Sequence, residues 1–180
     1  MGNKCYFGKK EQCKIMMTGI DLSSLLDIPI HIKGLDYEKK LIVCGPLVQT
    51  FEYRNLLINT FDWNRVSDKV LMMKTSKEYF ENNTGIVYVV ASDFHCWQDD
   101  DTQTKILEEI LNDELNKGLP LLIIANRKEQ KNAQNLEKIC ELLQVEKIKD
   151  RKWKIVQTIS TSKKDLELAL DWMSDSIKGT

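Results

Sequence analysis

The chain has little of what marks the specialised protein classes. Its 180 residues include only 3 prolines, 8 glycines and 2 histidines, which excludes a collagen-like or Pro/Gly-rich disordered chain. His31 and His95 stand alone, with no Glu or His at ligand spacing, so neither reads as a metal ligand. An excess of one charge is also missing. Lys plus Arg is 26 against Asp plus Glu at 27, a formal charge of −1, and no nucleic-acid partner is expected from that balance. The 5 cysteines, Cys5, Cys13, Cys44, Cys96 and Cys140, form no C-x-x-C pair. An odd, scattered set reads as reduced thiols in an intracellular, cytoplasmic compartment, and Cys44 and Cys96 lack a nearby base that would make a nucleophile. Long apolar runs are absent too. The longest, Leu119 to Ala125, falls far short of the ~20 residues of a membrane-spanning helix, and no apolar stretch follows the start as in a secretory signal.

What is present is an ordinary globular composition, 42% hydrophobic and 29% charged, in which short apolar runs alternate with helix-period segments. That alternation predicts an α/β fold with a largely parallel sheet covered by helices on both faces. The expected strands are Lys14–Thr18, Leu47–Tyr53, Leu56–Phe61, Gly85–Ala91, Leu119–Ala125 and Trp153–Thr158. Arg54-Asn55 joins the second and third as a tight antiparallel hairpin, which makes a six-stranded mixed sheet with one antiparallel edge hairpin. The expected helices are Thr102–Leu115, Ala133–Leu143 and Asp165–Ile177; in the last, Leu166, Leu170, Met173 and Ile177 share one stripe. Asp99-Asp100-Asp101 suits a helix N-terminus. In such a sheet, ligands bind at the carboxyl ends of the strands. The loops after Thr18, Phe61, Ala91, Ala125 and Thr158 are therefore the ones that carry chemistry.

After the first strand, a phosphate loop would read G-x-x-x-x-G-K-[ST], with backbone N–H groups and the lysine on phosphate and the hydroxyl on magnesium. Here it reads Gly19-Ile20-Asp21-Leu22-Ser23-Ser24-Leu25-Leu26. Ser24 replaces the second glycine, Leu25 the lysine and Leu26 the hydroxyl. The surrounding segments nevertheless form a pattern. They are Gly8-Lys9-Lys10-Glu11 with Lys14 to Asp21, Val48-Gln49-Thr50-Phe51-Glu52-Tyr53-Arg54-Asn55, Tyr79 to Val90, Asp113-Glu114-Leu115 with Leu121 to Asn126, and Leu170-Asp171-Trp172-Met173-Ser174. Together they resemble the Arf branch of the small GTPases, the ADP-ribosylation factors and Arf-like proteins, over most of the chain. Residues 1–12 then read as an N-terminal extension and 13–180 as the small GTPase-type domain.

The resemblance implies a guanine-nucleotide switch, tested site by site. The switch threonine of the family falls on Val43. Its D-x-G-G-Q falls on Asp62-Trp63-Asn64-Arg65-Val66, which keeps Asp62 but loses the glycine and the water-positioning glutamine. Its N-K-x-D becomes Asn126-Arg127-Lys128-Glu129, and its last guanine loop resembles Ser160-Thr161-Ser162. Gly19, Asp62, Asn126, Glu129, Ser160 and Thr161 are thus the vestiges of a nucleotide site. A hydrogen bond to a charged group is worth ~1.5–3 kcal/mol. Losing the lysine, the magnesium hydroxyl and the switch threonine removes roughly 5–9 kcal/mol, or about three to six decades of affinity. Asp21 adds repulsion to an anion, and Pro29 disturbs the helix expected after the loop.

The expectation is a pseudo-GTPase: no catalytic residue, no cofactor, and a structural or adaptor role in a larger assembly. The alternative is a regulatory Arf-like protein of membrane traffic or the cilium that binds GTP or GDP with Mg through an unconventional site. Protein partners are expected on the switch and interswitch surface, at Phe51, Tyr53, Trp63, Arg65 and Met72. Met1-Gly2-Asn3-Lys4-Cys5-Tyr6 begins like an N-myristoylation signal with Tyr6 in place of Ser or Thr. Lipidation at Gly2 and Cys5 is the one route to a membrane that the sequence offers.

Overall fold

The computed structural model describes residues 12–19, 28, 37–41, 47–62, 81–93, 100–159 and 161–178. Its strands are β1 (Cys13–Gly19), β2 (Tyr37–Leu41), β3 (Leu47–Tyr53), β4 (Leu56–Asp62), β5 (Gly85–Ala91), β6 (Leu121–Asn126) and β7 (Trp153–Gln157). They form one sheet in the order β2-β3-β4-β1-β5-β6-β7. From β4 to β7 every pairing is parallel, whereas β3 runs antiparallel to both β2 and β4. The six expected strands are all present. The seventh, β2, extends the sheet beyond the β3–β4 hairpin, so the antiparallel end holds three strands. Its sequence, Tyr-Glu-Lys-Lys-Leu, has no apolar alternation, and only pairing to β3 defines it as a strand.

Three α-helices are described: α1 (Asp100–Asn112), α2 (Leu136–Leu142) and α3 (Lys163–Lys178). Local chemistry sets several of the boundaries. α1 starts within the acidic run, at Asp100. β6 begins at Leu121 rather than Leu119 because Pro120 has no N–H to give a ladder; its carbonyl instead accepts from the Ile86 N–H at 2.9 Å. α2 begins at Leu136 rather than Ala133 because Asn135 caps it, its side chain accepting from the Lys138 N–H at 2.8 Å. Ala133 meanwhile bridges to Asp93.

Strand period divides the core in two. Ile15, Met17, Val87, Val89, Leu122 and Ile124 face Leu166, Ala169, Leu170 and Met173 of α3, joined by Phe51, Leu56 and Ile58 from the hairpin. On the other face Met16, Ile86, Tyr88, Val90, Leu121 and Ile123 pack against Leu107 and Ile110 of α1 and Ile139 of α2. Every residue of β5 and β6 is buried, as expected of parallel strands with helices above and below. The hairpin tip is clasped to α3. The Tyr53 hydroxyl donates to Asp171 at 2.7 Å, Arg54 pairs with the same carboxylate at 2.9 Å, and burial followed by the Asp171 contact pushes the Tyr53 phenol pKa up.

Candidate functional site

The carboxyl ends of β1, β4, β5, β6 and β7 lie along one edge of the sheet, and most of the residues expected at a nucleotide site fall there. Gly19, the last residue of β1, is in register with Asp62 of β4 on one side and with Val89 of β5 on the other. Asn126 ends β6 opposite Ala91, two strand spacings or ~10 Å across the sheet from β1. Glu129 is exposed on the turn after β6, and Thr161 is exposed between β7 and α3. Ser160, Trp63, Arg65, Met72, Gly2 and Cys5 lie outside the described residues.

Close approach of backbones decides why Gly19 is glycine. A Cβ there would sit 1.9 Å from the Val89 carbonyl oxygen and 2.8 Å from its carbon. β1 and β5 could not keep their pairing around it. This requirement belongs to the sheet and exists with or without a phosphate in the neighbouring loop.

Asn126 is 1% exposed, and its side-chain oxygen accepts from the Thr158 hydroxyl at 2.7 Å in a buried contact. Its carbonyl accepts from the Ser92 N–H at 2.7 Å. A buried polar atom that loses a hydrogen-bond partner costs ~1–3 kcal/mol, so Thr158, expected only as a strand end, is structurally coupled to the Asn126 position. Arg127 follows in the left-handed region, at φ 66°, a conformation that costs a non-glycine residue ~1–3 kcal/mol and persists where neighbours enforce it. The neighbours are identifiable. The Arg127 guanidinium lies 3.0 Å from the carboxylate of Asp93, whose side chain is 8% exposed. The Lys128 N–H donates to the Thr158 carbonyl at 3.1 Å, and its ammonium pairs with Asp165 at 3.1 Å.

Asp165 gathers the loop that precedes α3. Its carboxylate also accepts from the Ile159 N–H at 3.3 Å, and its own N–H donates to the Ser162 hydroxyl at 3.3 Å. Burial pulls its pKa up, but the hydrogen bonds from Lys128 and Ile159 outweigh that and hold the carboxyl below the usual aspartate range. Two more bonds close the circuit from the far side. The Gln134 N–H donates to the Ser92 carbonyl at 2.6 Å, and the Gln157 amide donates to the Gln134 carbonyl at 2.7 Å. The ends of β5, β6 and β7 and the start of α3 are thereby tied to one another.

Two residues expected on a partner surface are placed elsewhere. Phe51 is 1% and Tyr53 9% exposed; both belong to the core under α3, while Glu52 between them is exposed. Strand period puts Phe51 and Tyr53 on the inner face of β3, so neither can offer its ring to a partner in this arrangement. A cavity of about 470 Å³ lies at the opposite end of the strands, between α1 and the segment from Leu143 to Arg151. It therefore has no part in this edge. Among the described residues no group of His, Cys, Asp and Glu could hold a metal ion, and no helix is long and apolar enough to cross a membrane.

Two comparisons bear on this geometry. The structure of the Arl6 (BBS3) small GTPase from Trypanosoma brucei, solved with the nucleotide analogue GppNp, superposes with a TM-score of 0.71 over 93% of this chain and 98% of that one, at 18% identity. At that identity the likeness speaks for the fold, a small-GTPase sheet with the same carboxyl edge. The family model of the ADP-ribosylation factors matches residues 3–177, nearly the whole sequence. The chain therefore belongs to the ADP-ribosylation factor family.

Proposed function

We propose that this chain is a pseudo-GTPase: a non-catalytic docking subunit of a larger intracellular assembly that keeps the family fold and has given up the chemistry of the nucleotide. The observation that carries this reading is the donor set. Where the family places a phosphate-binding lysine, a magnesium-binding hydroxyl and a switch threonine, this sequence has Leu25, Leu26 and Val43, three side chains with no polar atom. Arg65 and Val66 stand where a glycine N–H and a water-positioning glutamine would act. GTP or GDP with magnesium does not fit such a set, because the charge on the phosphates would be met by Asp21 without a cation on the loop.

The nucleotide end that survives does so for reasons of folding. Gly19 is held to glycine by the close approach of Val89, and Asn126 takes part in a buried hydrogen bond with Thr158. Partners then engage the surface beyond the hairpin, for which Trp63, Arg65 and Met72 remain the residues to test. A second reading, a regulatory GTP-binding protein with an unconventional site, would have Arg65 meet the phosphates and Asn126 read the base; the buried bond that orients the Asn126 side chain is the observation that favours it.

One experiment separates them. The purified full chain is denatured and any released nucleotide identified by chromatography; the native protein is then titrated with GTP and GDP in the presence of magnesium by calorimetry. Empty protein and no heat up to millimolar ligand is the expected result. Stoichiometric nucleotide, or a dissociation constant in the micromolar range, would overturn the pseudo-GTPase reading.

A further inference from the structure

The loop after β6 is tied down by its own chain. In the described residues, Arg127 to Gln134 is held at both ends: by the Arg127–Asp93 ion pair at 3.0 Å, by the Asp93–Ala133 bridge and by the Gln134 N–H on the Ser92 carbonyl. Each of these contacts reaches the end of β5. Arg127 is the hinge of the arrangement, because the left-handed backbone at φ 66° turns the chain out of β6 while the side chain doubles back to β5.

We propose that the Arg127–Asp93 pair is a built-in latch that keeps the loop of residues 126–134 in one conformation with no ligand bound. This rests on the docking reading above and deepens it, since a fixed binding module needs its edge loops ordered by the polypeptide alone. The pair is suited to the task. Asp93 is nearly buried and Arg127 is about a third exposed, with side-chain exposures of 8% and 29%, so the interaction is partly shielded from water and salt. It also crosses between strands, joining the end of β5 to the first residue after β6. Loss of the cation would remove the opposite charge 3.0 Å from a nearly buried carboxylate, which weakens the closed arrangement.

The test is amide hydrogen exchange, followed by mass spectrometry on the full chain without added nucleotide. Three proteins are compared: the wild type, Asp93→Asn and Arg127→Asn. Asparagine at position 127 tolerates the left-handed backbone, so that variant removes the charge without adding strain. The wild-type loop should be protected, and each substitution should speed exchange across residues 126–134 by about tenfold, equivalent to ~1.4 kcal/mol. Peptides from α3 should keep their rates. The exchanged pair, Asp93→Arg with Arg127→Asp, should recover part of the protection. A wild-type loop that exchanges as fast as an unstructured peptide would overturn the latch. So would variants with unchanged loop rates, or variants that speed exchange equally throughout the molecule. The calorimetric titration reports on the docking reading separately: tight GTP binding would sink that reading, whereas a fast-exchanging loop in a chain that binds no GTP would sink only the latch.

Discussion

Replacing Gly19 by alanine isolates the structural demand at the phosphate-loop position. The added Cβ would lie 1.9 Å from the Val89 carbonyl oxygen. Because that oxygen is backbone at the centre of the sheet, no side-chain rotation can relieve the clash. Restoring a contact of 3.0 Å requires β1 and β5 to part by about 1.1 Å (3.0 − 1.9), which detaches the end of their ladder, where Thr18 pairs with Tyr88 and Gly19 with Val89. Overpacking of a tight interior costs ~1–3 kcal/mol, and each buried backbone group that loses its partner adds ~1–3 kcal/mol. A loss of about 4 kcal/mol follows, which for a domain of this size lowers the melting temperature by roughly 8–16 °C. Gly85→Ala is the internal comparison. Its Cβ would meet the Met173 sulfur at 2.7 Å and the Ile15 Cδ1 at 3.1 Å, both ends of flexible side chains, so a drop of only a few degrees is expected, at about 1 kcal/mol. Thermal unfolding of both variants, in protein shown to be free of nucleotide, is the assay. If Gly19→Ala melted as high as Gly85→Ala, the argument that the sheet, rather than a phosphate, dictates this glycine would fail.

Three other expectations can be checked with the same protein. Thr158→Val removes the donor to the buried Asn126 oxygen and should cost ~1–3 kcal/mol, measured by chemical denaturation; Thr158→Ser should restore most of it. Tyr53→Phe deletes the bond to Asp171 while Arg54 keeps its own, so a loss of about 1 kcal/mol is expected, with no change in the m-value. The third concerns acid. Asp165 has its carboxyl held below the usual range in the folded protein, so its contribution is present above the unfolded aspartate value, about 3.9, and is lost as pH falls through the lower folded value. Melting temperatures recorded downward from pH 6 should decline more steeply below about pH 4 in wild type than in Asp165→Asn; parallel curves would remove Asp165 from the account.

The sheet was legible in the sequence wherever burial on both faces leaves a continuous apolar run, as at Gly85–Ala91, and wherever a tight turn separates two strands with apolar residues in alternation, as at Leu47–Tyr53 and Leu56–Asp62. It was not legible at Tyr37–Leu41, where the residues are mostly charged and the strand exists through its partner. The candidate site divides in the same way. Asn126 and Gly19 could be picked out because each matches a motif position of the family that the sequence resembles. Their partners could not, because Thr158 lies 32 positions from Asn126 and only the β6–β7 pairing brings them together. Arg127 and Asp93 are similarly remote in sequence and adjacent across β5 and β6. Phe51 and Tyr53 were the opposite case. The alternation Phe-Glu-Tyr already pointed inward, and the family resemblance drew attention to the surface instead.

The clasp between the hairpin tip and the closing helix spans 118 residues of sequence, from Tyr53 to Asp171, and sets an order on the birth of the protein. α3 supplies Leu166, Ala169, Leu170 and Met173 to the face of the sheet formed by β1, β4, β5 and β6. Among the described residues, a nascent chain that has not reached Lys163 lacks the four α3 side chains that pack on this face, with contacts of high sequence separation still to be made. The core under α3 is completed only once that helix has been made, because Leu166, Ala169, Leu170 and Met173 belong to it.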